Sequence, residues 1–134
     1  MDCRNTQMNR TRFFRVASIA VLVAVWALSL LPGPDVPAVP GGDKLHHALA
    51  YFACMFCWGQ LYRRPVQRLK LAIGFVAMGA LIECIQYLTP TRSFEFLDML
   101  ADALGVIAGW FVVTVQLSVE RRLASRALSS HPAD

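Results

Sequence analysis

Four apolar runs, each close to the length one helix needs to cross a bilayer, leave this sequence few folds to choose from. They cover residues 13–31, 45–62, 71–88 and 96–117. A hydrocarbon core of about 30 Å takes about 20 helical residues, with about 17–25 tolerated. Breakers stand between the runs: Pro32-Gly33-Pro34 and segment 37–42 after the first, Arg63-Arg64-Pro65 after the second, Thr89-Pro90-Thr91 after the third. Proline and glycine at such places stop helices. Composition points the same way. The chain is 56% apolar and 16% charged, against roughly 25% charged for a soluble domain, and a chain this short cannot bury that much apolar surface in its own interior. The expected fold is an all-α membrane protein, a four-transmembrane-helix bundle whose apolar surface has the lipid bilayer as partner.

The basic residues set the orientation. Arg4, Arg10 and Arg12 precede the first run and Arg15 lies at its start; Arg63, Arg64, Arg68 and Lys70 lie between the second and third; Arg121, Arg122 and Arg126 follow the fourth. With four crossings, all of these fall on one side, leaving Lys44 and Arg92 on the other. Short cytoplasmic flanks are enriched in lysine and arginine, so both termini are expected in the cytoplasm. The expected domains are a flank over residues 1–12, a membrane domain over 13–117 and a tail over 118–134. The net charge of +4 is then explained by topology, and no nucleic-acid partner is needed. Arginines before an apolar run also resemble a signal peptide, but this run exceeds the usual core and more spans follow, so an uncleaved anchor is expected. Cys3, Cys54, Cys57 and Cys84 are too scattered for a disulfide framework. Cys54 and Cys57 lie mid-span without a second Cys/His pair, which favours an apolar packing role over redox or zinc chemistry.

Polar residues inside the spans carry the functional signal. Ionisable groups near mid-bilayer cost about 2.5–3.5 kcal/mol each and normally face a bundle interior with partners. At about 1.5 Å per helical residue, His47 lies near the outer surface, and Tyr51, Glu83, Gln86, Asp98 and Asp102 all lie within roughly 9 Å of it. Three runs thus deliver polar groups to one layer. Faces agree too. Asp43, His47 and Tyr51 are spaced i, i+4, i+8; Asp98, Asp102, Gly105 and Gly109 also share one helical face. The two glycines make a small-residue surface on which another helix can pack closely. Arg92, after the Pro90 break, can bridge two carboxylates with its planar fork.

Read in order, Asp43-Lys44-x-x-His47-x-x-x-Tyr51, Glu83-x-x-Gln86, Arg92 and Asp98-x-x-x-Asp102-x-x-Gly105-x-x-x-Gly109 resemble the VanZ-like family of bacterial membrane proteins. The family's pattern often has asparagine where this chain has Asp102. The family is named after a protein linked to low-level resistance to the glycopeptide teicoplanin. The resemblance implies a multi-pass protein of the bacterial cytoplasmic membrane with a cell-envelope role connected with teicoplanin-type susceptibility. It implies no enzyme activity.

Three readings of the polar cluster stay open. One is a hydrogen-bonded core that fixes helix register, since buried polar groups need partners whatever else they do. The second is a site that binds or modifies an amphiphilic envelope molecule. The third is catalysis, an intramembrane hydrolase or transferase on a lipid headgroup, with His47 as general base, Asp43 or Glu83 orienting it and Arg92 holding an anionic group. A small transporter or assembly subunit working as an oligomer is a further alternative. The carboxylates with His47 could instead hold a divalent metal, but no tight ligand motif supports this, and no cofactor is expected. His46 points away from His47 and is expected at the interface; Trp26, Trp58 and Trp110 read as lipid contacts or packing.

Overall fold

Local chemistry sets the helix ends. Pro65 opens a helix as well as separating two. At a first helical position its missing N–H costs nothing, and Arg64 before it is extended (φ −86°, ψ 130°), as the ring requires of its neighbour. The computed structural model describes residues 3–30, 42–88 and 95–129. Its helices are α1 (Cys3–Leu30), α2 (Gly42–Gly59), α3 (Pro65–Tyr87) and α4 (Phe96–Ser129). No strand occurs among the described residues.

Three of these helices are long and apolar enough to cross a membrane, over Gln7–Leu30, Pro65–Tyr87 and Phe96–Ala127. The helix outside that set is α2. It has only 18 residues, and its first two turns carry Asp43, Lys44, His46 and His47.

The helix ends do not coincide with the ends of the apolar runs. α1 begins at Cys3, well before residue 13, and α4 continues to Ser129, well past residue 117. An apolar run marks what lipid can accept, whereas good helix formers such as Gln, Met, Arg, Glu and Leu carry the helix beyond it. Much of the expected C-terminal flank is therefore helix. α2 stops at Gly59 instead of 62, and the Leu61 and Tyr62 amides bond to the Trp58 and Gly59 carbonyls (3.0 and 3.3 Å). Such i→i+3 bonds tighten a helix end.

The helix outside the spanning set sits innermost. α2 packs on α1, α3 and α4, and α3 also touches all the others, while the backbones of α1 and α4 do not meet among the described residues. Tyr51, Cys54 and Met55 of α2 are buried with Val25, Phe75, Ile82 and Val106. The outer faces keep large apolar side chains bare. Phe13, Ile73, Ile107 and Phe111 are 60–65% exposed, which suits contact with lipid.

α2 and α4 run parallel in nearly constant register. Partners are 54 residues apart at Lys44–Asp98, 55 at His47–Asp102 and 56 at Gln60–Gln116. Glycine permits the approach. A Cβ on Gly105 would land on the Ala48 carbonyl oxygen, and one on Gly109 would lie 2.8 Å from that of Phe52.

A second polar layer closes the opposite end. Arg10 donates to Gln60 (3.1 Å) and Glu120 (3.0 Å). Gln60 donates to Gln116 (2.8 Å), which donates to Glu120 (3.1 Å). Arg68 and Arg121 donate to carbonyls of the α2–α3 turn: Arg68 to Tyr62 and Arg63, Arg121 to Arg63. The half-exposed Arg10–Glu120 pair contributes under about 1 kcal/mol by itself. Its role is to tie α1 to α4, whose backbones stay apart.

Candidate functional site

At the N-terminal ends of α2 and α4, the parallel register sets the Asp43–His47–Tyr51 stripe against the Asp98–Asp102–Gly105–Gly109 stripe. Lys44 follows from that placement. Its Nζ donates to Glu95 (2.7 Å), Asp98 (3.0 Å) and neighbouring Asp43 (3.0 Å). The hydrogen bonds to Glu95, Asp98 and Asp43 hold the ammonium above lysine's usual range, so it stays charged at neutral pH. Its hydrogen bond to Asp43 in turn holds that carboxyl below the carboxylate range.

One turn deeper, His47 Nδ1 lies 3.0 Å from Asp102 Oδ1. Its Nε2 faces Asp98 Oδ2 at 3.8 Å, beyond hydrogen-bond reach. An ionised carboxylate only accepts, so Nδ1 carries the proton of the Asp102 bond, and in the neutral ring the Nε2 lone pair faces Asp98. The orienting carboxylate is thus Asp102. The expectation that Asp43 or Glu83 orients His47 is corrected: Asp43 is engaged by Lys44, and α4 passes closer to the Nδ1 edge.

Glu83 reaches the cluster from α3 and is 1% exposed. Its Oε2 accepts the Glu95 N–H (3.2 Å), satisfying one of the free amides where α4 begins, and its Oε1 has no hydrogen-bond partner among the described residues. Gly79, one turn away on α3, admits two further groups. A Cβ there would lie 2.7 Å from Asp102 Oδ2 and 3.3 Å from the Tyr51 hydroxyl. Tyr51 is 2% exposed, and its hydroxyl is also unpartnered among the described residues.

Gln86 does not join the ion pairs. It donates to the Ser29 carbonyl of α1 (2.8 Å) and ties α3 to the end of that helix. Arg92, expected to bridge carboxylates, lies outside the described residues; within them that bridge is made by Lys44. Sequence reasoning missed Glu95 as a member. Its signal was an acidic residue one turn before Asp98 at a helix start, where negative charge is favoured. Cys54 is buried, Cys57 partly buried and Cys84 exposed, and all three are free thiols.

Exposure falls steadily along the cluster. The side chains of Asp43 and Glu95 are 45% and 44% exposed, Asp98 13% and Asp102 4%. The arrangement is a funnel of carboxylates, open at the bundle's end and closed by Asp102 and Glu83. Chemically it offers fixed acceptors and one oriented imidazole with a free lone pair. Its lysine is already engaged three times over.

Neither curated proteins nor solved structures gave a match. A family model described as VanZ/LLP1 matches residues 7–117, a stretch that takes in the cluster and most of the length of all four helices, and the chain therefore belongs to the VanZ/LLP1 family.

Proposed function

We propose that this VanZ/LLP1 member crosses the bacterial cytoplasmic membrane four times, with both termini in the cytoplasm, and that its outward polar funnel binds the headgroup of an amphiphilic envelope molecule. The membrane domain of this reading covers residues 13–117, and flanks 1–12 and 118–134 stay on the cytoplasmic side. Support for α2 as a fourth span comes from its register. It keeps pace with α4 from Lys44–Asp98 to Gln60–Gln116, so it passes through the same depth as a helix apolar enough to span. The basic-residue asymmetry supports the orientation.

The observation that carries the headgroup reading is the exposure gradient, 45% at Asp43 to 4% at Asp102. It makes a polar recess at the end of a bundle whose sides are apolar. An amphiphile lying in the outer leaflet meets both surfaces at once. Binding or modifying such a molecule gives the protein its cell-envelope role, and a change in teicoplanin-type susceptibility is the phenotype to score in a deletion strain. The Asp102–His47 pair also favours general-base chemistry, a hydrolase or transferase acting on the same headgroup. In that version His47 Nε2 is the proton acceptor.

Reporter fusions after Arg126 and within residues 63–68 are expected to read cytoplasm, and fusions at Val39 and Thr91 the outer side. A cytoplasmic reading at Thr91 would overturn the topology. For the ligand, lipids co-purifying in mild detergent are identified by mass spectrometry. One amphiphile is expected to be enriched with the wild-type protein and depleted in Lys44→Gln and Arg92→Ala at equal protein abundance. Identical lipid profiles in all three proteins would sink the headgroup reading.

A further inference from the structure

We propose that His47, Glu83 and Asp98 form a binding site for one divalent transition-metal cation, with Asp102 orienting the imidazole. One donor atom from each of the three residues lies within 4.8 Å of the others, and the donors come from α2, α3 and α4. Metal–ligand bonds of about 2.0–2.2 Å put two donors at most about 4.4 Å apart, so the side chains close slightly on the ion.

Each residue presents an acceptor that the protein leaves unused. Asp98 gives Oδ1 to Lys44 (3.0 Å), and among the described residues its Oδ2 has only His47 Nε2 near it, at 3.8 Å. With the ring neutral, Nε2 and Oδ2 are two acceptors face to face, and a cation between them joins both. Glu83 is 1% exposed, and its Oε1 has no hydrogen-bond partner among the described residues. A buried carboxylate oxygen without a partner is costly, and a metal ion within reach removes that cost.

His47 is already prepared for ligation. Its Nδ1 is fixed on Asp102 Oδ1 at 3.0 Å, and a carboxylate on one imidazole nitrogen is the usual way proteins orient the other toward a metal. Five carboxylates (Asp43, Glu83, Glu95, Asp98 and Asp102) meet one lysine and one imidazole here, so positive charge is in deficit among the described residues. One imidazole with two carboxylates suits manganese, iron or zinc more than magnesium or calcium, which prefer all-oxygen sets. The neighbouring Asp43, Glu95 and Asp98 group is a poorer candidate, because Lys44 already bridges all three. Three ligands on three helices leave no spacing motif, which is why the sequence shows the candidate donors without a metal-binding pattern. This inference does not depend on the headgroup reading.

The test uses the full chain in mild detergent, stripped with a chelator and titrated with Mn²⁺ followed by electron paramagnetic resonance. One Mn²⁺ per chain is expected, with nitrogen coupling from the imidazole in pulsed spectra and displacement by Zn²⁺. Glu83→Gln and His47→Gln should each weaken binding about a hundredfold or more, and Asp102→Asn about 10–100-fold with the nitrogen coupling retained. His46→Gln, changed at an exposed imidazole outside the cluster, should bind like wild type. If either ligand variant fails to accumulate, the wild-type melting temperature decides. It should rise with Mn²⁺ and fall back with chelator, because a ligand of the folded state alone stabilises it. A wild-type protein with neither stoichiometric binding nor a metal-dependent melting temperature overturns the proposal. So does binding that lacks nitrogen coupling, or that survives Glu83→Gln and His47→Gln but is lost in Asp43→Asn.

Discussion

Gly105→Ala is expected to destabilise the protein by about 3 kcal/mol, a large effect for adding one methyl group. The added Cβ meets the Ala48 carbonyl oxygen, and a backbone atom in mid-helix cannot rotate aside as a side-chain tip can. α4 must lift off α2, and the contacts on either side of Gly105 loosen with it. Gly74→Ala supplies the control. Nothing lies within 4 Å of a Cβ at Gly74, so alanine there should be neutral or stabilise by up to about 1 kcal/mol through helix propensity. Gly109→Ala should fall between the two, since its Cβ would sit 2.8 Å from the Phe52 carbonyl oxygen and 3.0 Å from Met55 Cβ. Thermal unfolding in detergent and membrane abundance measure the series. Equal melting of Gly105→Ala and Gly74→Ala would mean that the two helices do not approach as described.

His47→Ala is the second large effect, about 3–5 kcal/mol, because it removes the partner of a buried carboxylate. Asp102 has a side chain only 4% exposed, and the imidazole is its hydrogen-bond partner. The His47 side chain is 20% exposed, and its Nδ1 is turned to Asp102. The physical check is a double-mutant cycle. Replacing both partners by uncharged groups leaves no stranded charge, so His47→Ala/Asp102→Asn should recover much of the stability that His47→Ala loses. Simple additivity of the two single changes would show that the pair is not coupled. The same logic governs any phenotype seen with His47→Ala. It must be read beside protein abundance, whereas Lys44 leaves behind two half-exposed carboxylates and Asp98, none as buried as Asp102.

Much of the fold was legible because lipid imposes a coarse rule. Runs of about 20 apolar residues become helices, and the proline and glycine segments that end them are unambiguous. Faces were legible as well, since the i, i+4 spacing of Asp43 with His47 and of Asp98 with Asp102 survives any uncertainty in helix ends. The illegible parts depend on which residues oppose each other between helices. Nothing in the α2 sequence states that His47 pairs with Asp102 and leaves Asp43 to Lys44. That follows from the α2–α4 register, which Gly105 and Gly109 set by backbone contact. Gln60 and Gln116 were hidden for the same reason. Each is an unremarked amide at the edge of an apolar run, and only together with Arg10 and Glu120 do they form a layer. The length of α4 was missed because hydropathy reports where lipid ends and says nothing of where hydrogen bonding along the helix ends.

The two polar layers stand about 20 Å apart along α2, from His47 to Gln60 at 1.5 Å per residue, and both are latched to α4. That double latch forbids a piston. A one-turn slide of α4 along α2 would unseat Lys44 from Asp98, His47 from Asp102 and Gln60 from Gln116 in a single step, and would drive Gly105 off the Ala48 carbonyl as well. The α2–α4 pair therefore behaves as a fixed mast, and any opening of the funnel falls to the helices leaning on it. α3 carries Glu83 and Gly79 into the cluster, and its tie to α1 is the single Gln86–Ser29 bond among the hydrogen bonds between those helices described above. A tilt of α3 would uncover Asp102 and Tyr51 and break the Glu83–Glu95 bond, while the α2–α4 latches stay closed. On the headgroup reading proposed above, such a tilt would widen the funnel on its α3 side, next to the exposed apolar face that carries Ile73.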